Sequence, residues 1–451
     1  MSTRSPHLQN RSPCPMKLIH ISRRVFLFSL FALCLSVLTP GQLAIAEDTF
    51  AMWGDLNRQT AIYNAGEEMV FTVKLLKNDQ PVAGYTLKWE RTGDDGIKQN
   101  GQAVSNENGI QIVTSTQDPG FVRIYVTATD PDGQKVMTTI KGKDKPVFFD
   151  GGACVAPDKL QGIAEPDDFD AFWQKQKQQL ASVPMKVLEM NMVKENDTVI
   201  AYDMKIACAG GMPVSGYLVM PKDAKARSLA AEVNFHGYGV RSANYNLGRG
   251  SNQIYFNINA HGIENGQPKD YYTQLQKGKL RGYGFSMEEN ADPQTTYFNG
   301  MYMRVMRALE YVKSLPAWNG KNLKATGGSQ GGLQALVAAG LDTDVSECSA
   351  WSPWCCDFGR TELKRMVGGW YVKYTPALLY FDPINLVKRA NPNCQLFIVA
   401  NLGDYVCPPS GVWIAYNNFP GPKTIETRQG CEHGYTMKNY PKFIVTTKTD
   451  N

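Results

Sequence analysis

The chain has 451 residues, of which 43% are hydrophobic and 11% aromatic; that supports more than one packed domain and excludes a disordered chain. Its formal charge of +5 is carried by five basic residues that precede Glu47, and without them 42 basic residues face 42 acidic ones. No basic tract remains to neutralise phosphates, which leaves nucleic-acid binding with little support.

Residues 1–46 read as an export leader. Arg23-Arg24 precede an apolar run from Val25 to Leu38, and Ala44-Ile45-Ala46 follows as an A-x-A cleavage site. The run is short of the roughly 20 apolar residues a spanning helix needs, so no membrane span is expected once the leader is removed. Ser22-Arg23-Arg24-Val25-Phe26-Leu27 also resembles a twin-arginine signal, although ordinary signals often carry two arginines as well.

Residues 47–150 alternate with period two, as in Met69–Leu75 and Val122–Val126. Turn sequences such as Asp118-Pro119-Gly120 and Asp130-Pro131-Asp132-Gly133 separate these runs. The pattern predicts a β-sandwich of immunoglobulin-like size. Trp89 reads as a core aromatic, while Trp53 suits a core or a sugar platform equally. Lys141 to Pro146 reads as a linker.

Residues 151–451 form the second domain. Pro166-Asp167-Asp168 opens an amphipathic helix with Phe169, Phe172, Trp173 and Leu180 on one face. Strands are expected near Thr198–Ala207 and Val214–Met220. Beyond them Ala231–Phe235, Ile254–Asn259, Leu323–Thr326 and Leu396–Ala400 alternate with helical stretches such as Met301–Leu315, and Thr424–Thr427 comes last. This alternation predicts an α/β fold around a doubly wound parallel sheet.

Between a strand-like and a helix-like run lies Gly327-Gly328-Ser329-Gln330-Gly331, a G-x-S-x-G elbow of the α/β-hydrolase kind. A serine hydroxyl needs a base within hydrogen-bond reach. Past the leader there are only three histidines, and His433 alone follows Ser329, as the Ser, acid, His order of such folds requires. The acid candidates after Ser329 are Asp404, just beyond the strand Leu396–Ala400, with Asp357, Asp382 and Glu432 as competitors. Asp404 is favoured because sites assemble at the C-terminal ends of parallel strands. The backbone N–H groups of Gln330 and Tyr238, the latter in His236-Gly237-Tyr238-Gly239, are the candidate oxyanion donors. His236 reads as a structural loop residue.

Several separated motifs carry a resemblance. Asp167-Asp168-Phe169-Asp170-Ala171-Phe172-Trp173, Phe235-His236-Gly237-Tyr238, the elbow, Tyr380-Phe381-Asp382 and Gly403-Asp404-Tyr405-Val406-Cys407-Pro408-Pro409 resemble the acetyl xylan esterase/cephalosporin C deacetylase family, carbohydrate esterase family seven. The likeness runs from roughly residue 155 to 445. It implies an α/β-hydrolase fold and a cofactor-free serine esterase acting on acetylated xylo-oligosaccharides or other small acetylated sugars. Ser329, Asp404 and His433 would form its triad, and Tyr238 and Gln330 would supply the oxyanion amides. A homo-oligomer would be in keeping with the family's ring-shaped hexamer. There are departures. His261 stands where the family's R-G-Q motif has arginine, and Arg281-Gly282-Tyr283 is not R-G-Q either. The N-terminal β-domain is an addition to the family core.

Two other readings remain from the residues themselves. A prolyl-oligopeptidase-type peptidase shares the elbow and the order of the three residues, but about 100 residues are too few for a propeller. In a non-catalytic glycan-binding protein the sandwich would do the binding. After the leader eight cysteines remain, an even number that permits disulfides in an exported chain. Cys407 and Cys431 flank the acid and the histidine, and a bond between them would brace the site if their loops meet. No C-x-x-C occurs among the eight, which argues against zinc.

Overall fold

In a computed structural model describing residues 48–448, ten strands form one sheet. In spatial order they are Val187–Glu195, Val199–Ile206, Val214–Pro221, Gln253–Ile258, Leu229–Phe235, Trp318–Gly328, Glu347–Trp351, Gln395–Asn401, Lys423–Arg428 and Lys442–Thr447. The six strands from Gln253–Ile258 to Lys423–Arg428 run parallel, and every pairing outside them is antiparallel. Parallel strands buried on both faces need apolar residues on both sides. Val233, Phe235, Phe256, Ala325 and Ile398 accordingly share one core. The helix Gln330–Leu341 is buried along its whole length, as its Ala, Leu, Val and Gly residues allow.

Chain order reverses at Leu229–Phe235. From this strand the chain moves out to Gln253–Ile258 on one side, then returns to Trp318–Gly328 on the other. In such sheets the crevice for a ligand opens at the C-terminal ends of the two strands that flank the reversal. Here those ends lead into His236–Gly239 and into Ser329.

The sheet exceeds the expected one at three places. Lys442–Thr447 adds an antiparallel strand beyond Lys423–Arg428, so His433 lies between two strands rather than after the last. Only Phe443 of that strand is buried, which leaves little apolar pattern to read. Val187–Glu195 is exposed along its length and its pairing slips twice. Glu347–Trp351 buries only Cys348, Ser349 and Ala350, small residues with a weak signal. The helix begun at Phe169 runs to Ala181 and buries the four expected side chains.

Phe50–Val155 is all β. A four-stranded sheet holds Phe50–Leu56 and Met69–Lys77, and a five-stranded sheet holds Thr86–Gly93, Gly120–Thr129 and Phe148–Val155. Their alternating residues share a core, with Met52, Phe71 and Val73 from the first sheet and Leu87, Ile124 and Phe149 from the second. Lys141–Pro146, expected as a linker, instead forms a turn and a short strand paired with Met137–Ile140. The leader expected over residues 1–46 lies outside the described residues. Among the described residues no helix is long and apolar enough to cross a membrane. The cysteines from Cys154 to Cys431 are all unpaired, and Cys407 and Cys431 are not bonded to each other.

Candidate active site

Ser329 joins the strand Trp318–Gly328 to the helix Gln330–Leu341 at φ 57° and ψ −121°. A non-glycine residue there costs about 1–3 kcal/mol and persists only when its surroundings hold it. Its N–H donates to the Trp351 carbonyl at 2.8 Å, and its own carbonyl accepts from the amides of Leu333 and Trp354, each at 3.0 Å. The flanking glycines answer to crowding. A Cβ added to Gly327 would stand 2.4 Å from the Gly331 carbonyl carbon, and one on Gly331 would stand 2.0 Å from the Phe235 carbonyl oxygen. Both obstacles are backbone and cannot step aside. Gly331→Ala is therefore expected to lower stability by about 3 kcal/mol. The measurement is a urea transition, where the midpoint should fall with little change of slope.

His433 reaches this corner from the loop between the last two strands. Its Nε2 lies 3.0 Å from Ser329 Oγ, and its Nδ1 lies 2.8 Å from Asp404 Oδ2. Asp404 is fully buried. Its other oxygen, Oδ1, accepts the amides of Val406 at 3.0 Å and Cys407 at 2.8 Å. A carboxylate can only accept, so Nδ1 carries the ring proton and Nε2 turns a lone pair toward the serine hydroxyl. Burial pulls the His433 pKa down, but the hydrogen bond and the charge of Asp404 outweigh it and hold the pKa above its ordinary value. The competing acids are engaged elsewhere. Asp357 is paired with Arg365, and Asp382 accepts the amides of Asp357, Phe358 and Ile384. The charge of Glu432 is felt at Asp150 and Arg123.

The loop His236–Gly239 passes over the elbow. A Cβ added to Gly237 would lie 3.6 Å from Ser329 Cβ, so the backbone at Gly237-Tyr238 runs beside the hydroxyl, across from Gln330. Tyr283 links the two sides, a role that sequence reasoning missed. Its hydroxyl accepts the Gly239 N–H at 2.7 Å and donates to Gln330 Oε1 at 2.9 Å. Its ring stacks on Tyr238 with centroids 4.2 Å apart. The available signal was Gly282-Tyr283-Gly284, whose glycines have φ of 59° and 80°.

The two remaining histidines are locked as neutral rings. His236 Nδ1 donates to the Gly237 carbonyl at 2.7 Å while Nε2 accepts the Ala260 N–H at 3.1 Å. Burial pushes its pKa down to about 4. His261 Nε2 donates to the Gly239 carbonyl at 3.2 Å and Nδ1 accepts the Tyr297 hydroxyl at 2.6 Å. Burial pushes its pKa down to about 3. Arg304 donates from Nε and Nη2 to the Ala260 carbonyl at 3.0 and 2.7 Å, so a guanidinium reaches this segment from a neighbouring helix although residue 261 is histidine.

Asp404, Cys407 and His433 place potential metal-ligand atoms within 4.8 Å of one another. The donors suit a proton relay better than a cation. Both His433 nitrogens are engaged, and burial followed by the Asp404 charge keeps the Cys407 thiol protonated, with its pKa well above the ordinary value.

Comparison with known proteins bears on this geometry. An acetyl esterase, Axe7A of Xylanibacter ruminicola, is 27% identical over 295 residues, covering 62% of this chain; the chain spans 66% of that relative's length. The solved acetyl xylan esterase from Paenibacillus sp. R4 superposes with a TM-score of 0.53 at 27% identity, over 61% of this chain and 92% of that one. The family profile described as acetyl xylan esterase (AXE1) matches residues 160–367 and 372–447, more than half of the chain, and the chain therefore belongs to the acetyl xylan esterase family.

Proposed function

We propose that this chain is an exported serine esterase that removes acetyl groups from xylo-oligosaccharides or other small acetylated sugars. The observation that carries the reading is a single imidazole joining a strained serine to a buried carboxylate. His433 Nε2 takes the Ser329 proton as Oγ attacks the acetyl carbonyl. The amides of Tyr238 and Gln330 receive the oxyanion. His433 then returns the proton to the departing sugar oxygen, leaving acetyl-Ser329. Water, deprotonated by the same nitrogen, releases acetate and restores the hydroxyl. Acetyl specificity rests on likeness to an acetyl esterase and an acetyl xylan esterase. Export rests on the leader over residues 1–46. The peptidase reading has lost its domain, because the N-terminal strands form sheets of four and five and a hairpin rather than propeller blades.

Acetate release is the direct test, with acetylated xylo-oligosaccharides set against aminoacyl-prolyl amides. Release of acetate with the amides left intact is expected. Cleaved amides without acetate would overturn the proposal.

A further inference from the structure

The loops that carry Asp404 and His433 rest on the N-terminal β-region as well as on the catalytic sheet. Gln429, at the base of the His433 loop, is fully buried. Its Oε1 accepts the Gly152 N–H at 2.8 Å and its Nε2 donates to the Gly152 carbonyl at 2.9 Å, so a side-chain amide pairs with strand Phe148–Val155 as a neighbouring strand would. The glycines of that strand make room for the seat. A Cβ on Gly151 would stand 2.1 Å from Gln429 Oε1, and one on Gly152 would stand 3.1 Å from the Leu402 carbonyl oxygen.

The Asp404 loop meets the same strand. Gly403 lies so close that an added Cβ would fall 2.3 Å from the Asp150 carbonyl oxygen. Asp150 is buried and accepts Arg123 Nε at 2.7 Å; the Arg123 guanidinium lies 4.6 Å above the ring of Tyr405, next to Asp404 in the chain. The two loops are also joined to each other, by Gly403 N–H to the Cys431 carbonyl at 3.0 Å. Farther along the His433 loop, Tyr435 packs on Phe148 at 5.0 Å and Trp53 Nε1 donates to the Asn439 carbonyl at 3.3 Å.

A general base must be held to within about half an ångström of its working position. Of the two groups that meet at His433, one stands on the central sheet and the other on loops seated against the β-region. We infer that the β-region positions His433 and Asp404, with Gln429 and the Asp150–Arg123 pair as its positioning residues. This rests on the esterase reading above. It gives the added domain a part in catalysis that involves no contact with substrate.

The test uses the full chain with Gln429→Leu. Active sites are titrated with a fluorophosphonate, and kcat per titrated site, KM and the pH–rate profile are measured on an aryl acetate. A misplacement near 1 Å can cost on the order of 10²-fold in rate. Gln429→Leu should therefore lose about 10- to 100-fold in kcat per titrated site, with KM little changed and the acid limb of the profile moved to lower pH as the Asp404 bond loosens. Arg123→Met, whose side chain is partly exposed, should shift the same quantities by less, and it serves as the test if Gln429→Leu does not fold. Leu87→Ala, in the β-region core on a strand that does not pair with Phe148–Val155, should lower the unfolding midpoint and leave kcat per site unchanged. Wild-type kcat per site and an unmoved acid limb in the variants at the loops would overturn the inference. An equal loss in Leu87→Ala would overturn it too, by making the effect one of general destabilisation. Failure of the esterase reading would show separately, as wild-type protein that the probe does not label at Ser329.

Discussion

Ser329→Ala is expected to abolish hydrolysis of aryl acetates, with kcat falling by about 10⁶-fold, the scale seen when a serine that acts as one unit with its base is removed. The size follows from the role of the hydroxyl. In the proposed mechanism no acetyl-enzyme forms without Oγ, and water would have to attack an ester positioned for a different nucleophile. What survives should be only the acceleration that the oxyanion amides and binding provide, about 10³- to 10⁴-fold over solution. The fold should not suffer. The Ser329 hydroxyl has one partner, His433 Nε2, and alanine keeps the same Cβ at the same positive φ. The melting temperature should therefore stay near wild type. Ser329→Gly should raise it, because glycine relieves the torsional cost at φ 57°. An inactive and more stable glycine variant would mean that the strain is kept for the hydroxyl's placement. Aryl-acetate turnover near wild type in Ser329→Ala would remove the nucleophile assignment. Labelling by a fluorophosphonate should disappear with the activity.

The part of this site legible in the sequence is the part dictated by scarcity and by local geometry. Ser329 was legible because its glycines answer to backbone contacts that admit no other residue, and His433 because no other histidine follows the elbow. Asp404 was narrower ground. Three other acids competed, and what separates them is tertiary: one is paired with Arg365, one accepts three backbone amides, and one lies near Arg123. The buried parallel strands were legible as apolar runs. The exposed strand Val187–Glu195 and the weakly buried Lys442–Thr447 were not, because strands without a buried face keep no period-two pattern. Tyr283 and Gln429 escaped for a different reason. Each acts through hydrogen bonds to backbone groups distant in the chain, and a residue type alone carries no trace of such a partner.

Asp404→Asn is expected to lower kcat/KM by about 10⁴-fold and to shift its pH dependence, and the two effects have separate causes. The amides of Val406 and Cys407 both donate to Oδ1, so an asparagine would keep its carbonyl oxygen toward them and present its NH₂ group to His433. Two donors cannot share that contact. Nδ1 must then become the acceptor, the ring proton moves to Nε2, and the nitrogen facing Ser329 can no longer take a proton. That is the loss in rate. The pH shift follows from charge. With His433 as the proposed base, activity needs its neutral form, so kcat/KM should rise with pH through a midpoint that Asp404 holds above the ordinary histidine value. In the variant the opposing carboxylate is gone while the burial remains, and burial disfavours the imidazolium. The midpoint should therefore fall, and the residual activity should persist to lower pH than in the wild type. A pH–rate profile of the two proteins on one aryl acetate checks both effects. If Asp404→Asn kept its rate within tenfold and its midpoint unmoved, the carboxylate would not be orienting this imidazole, whatever the distance between them.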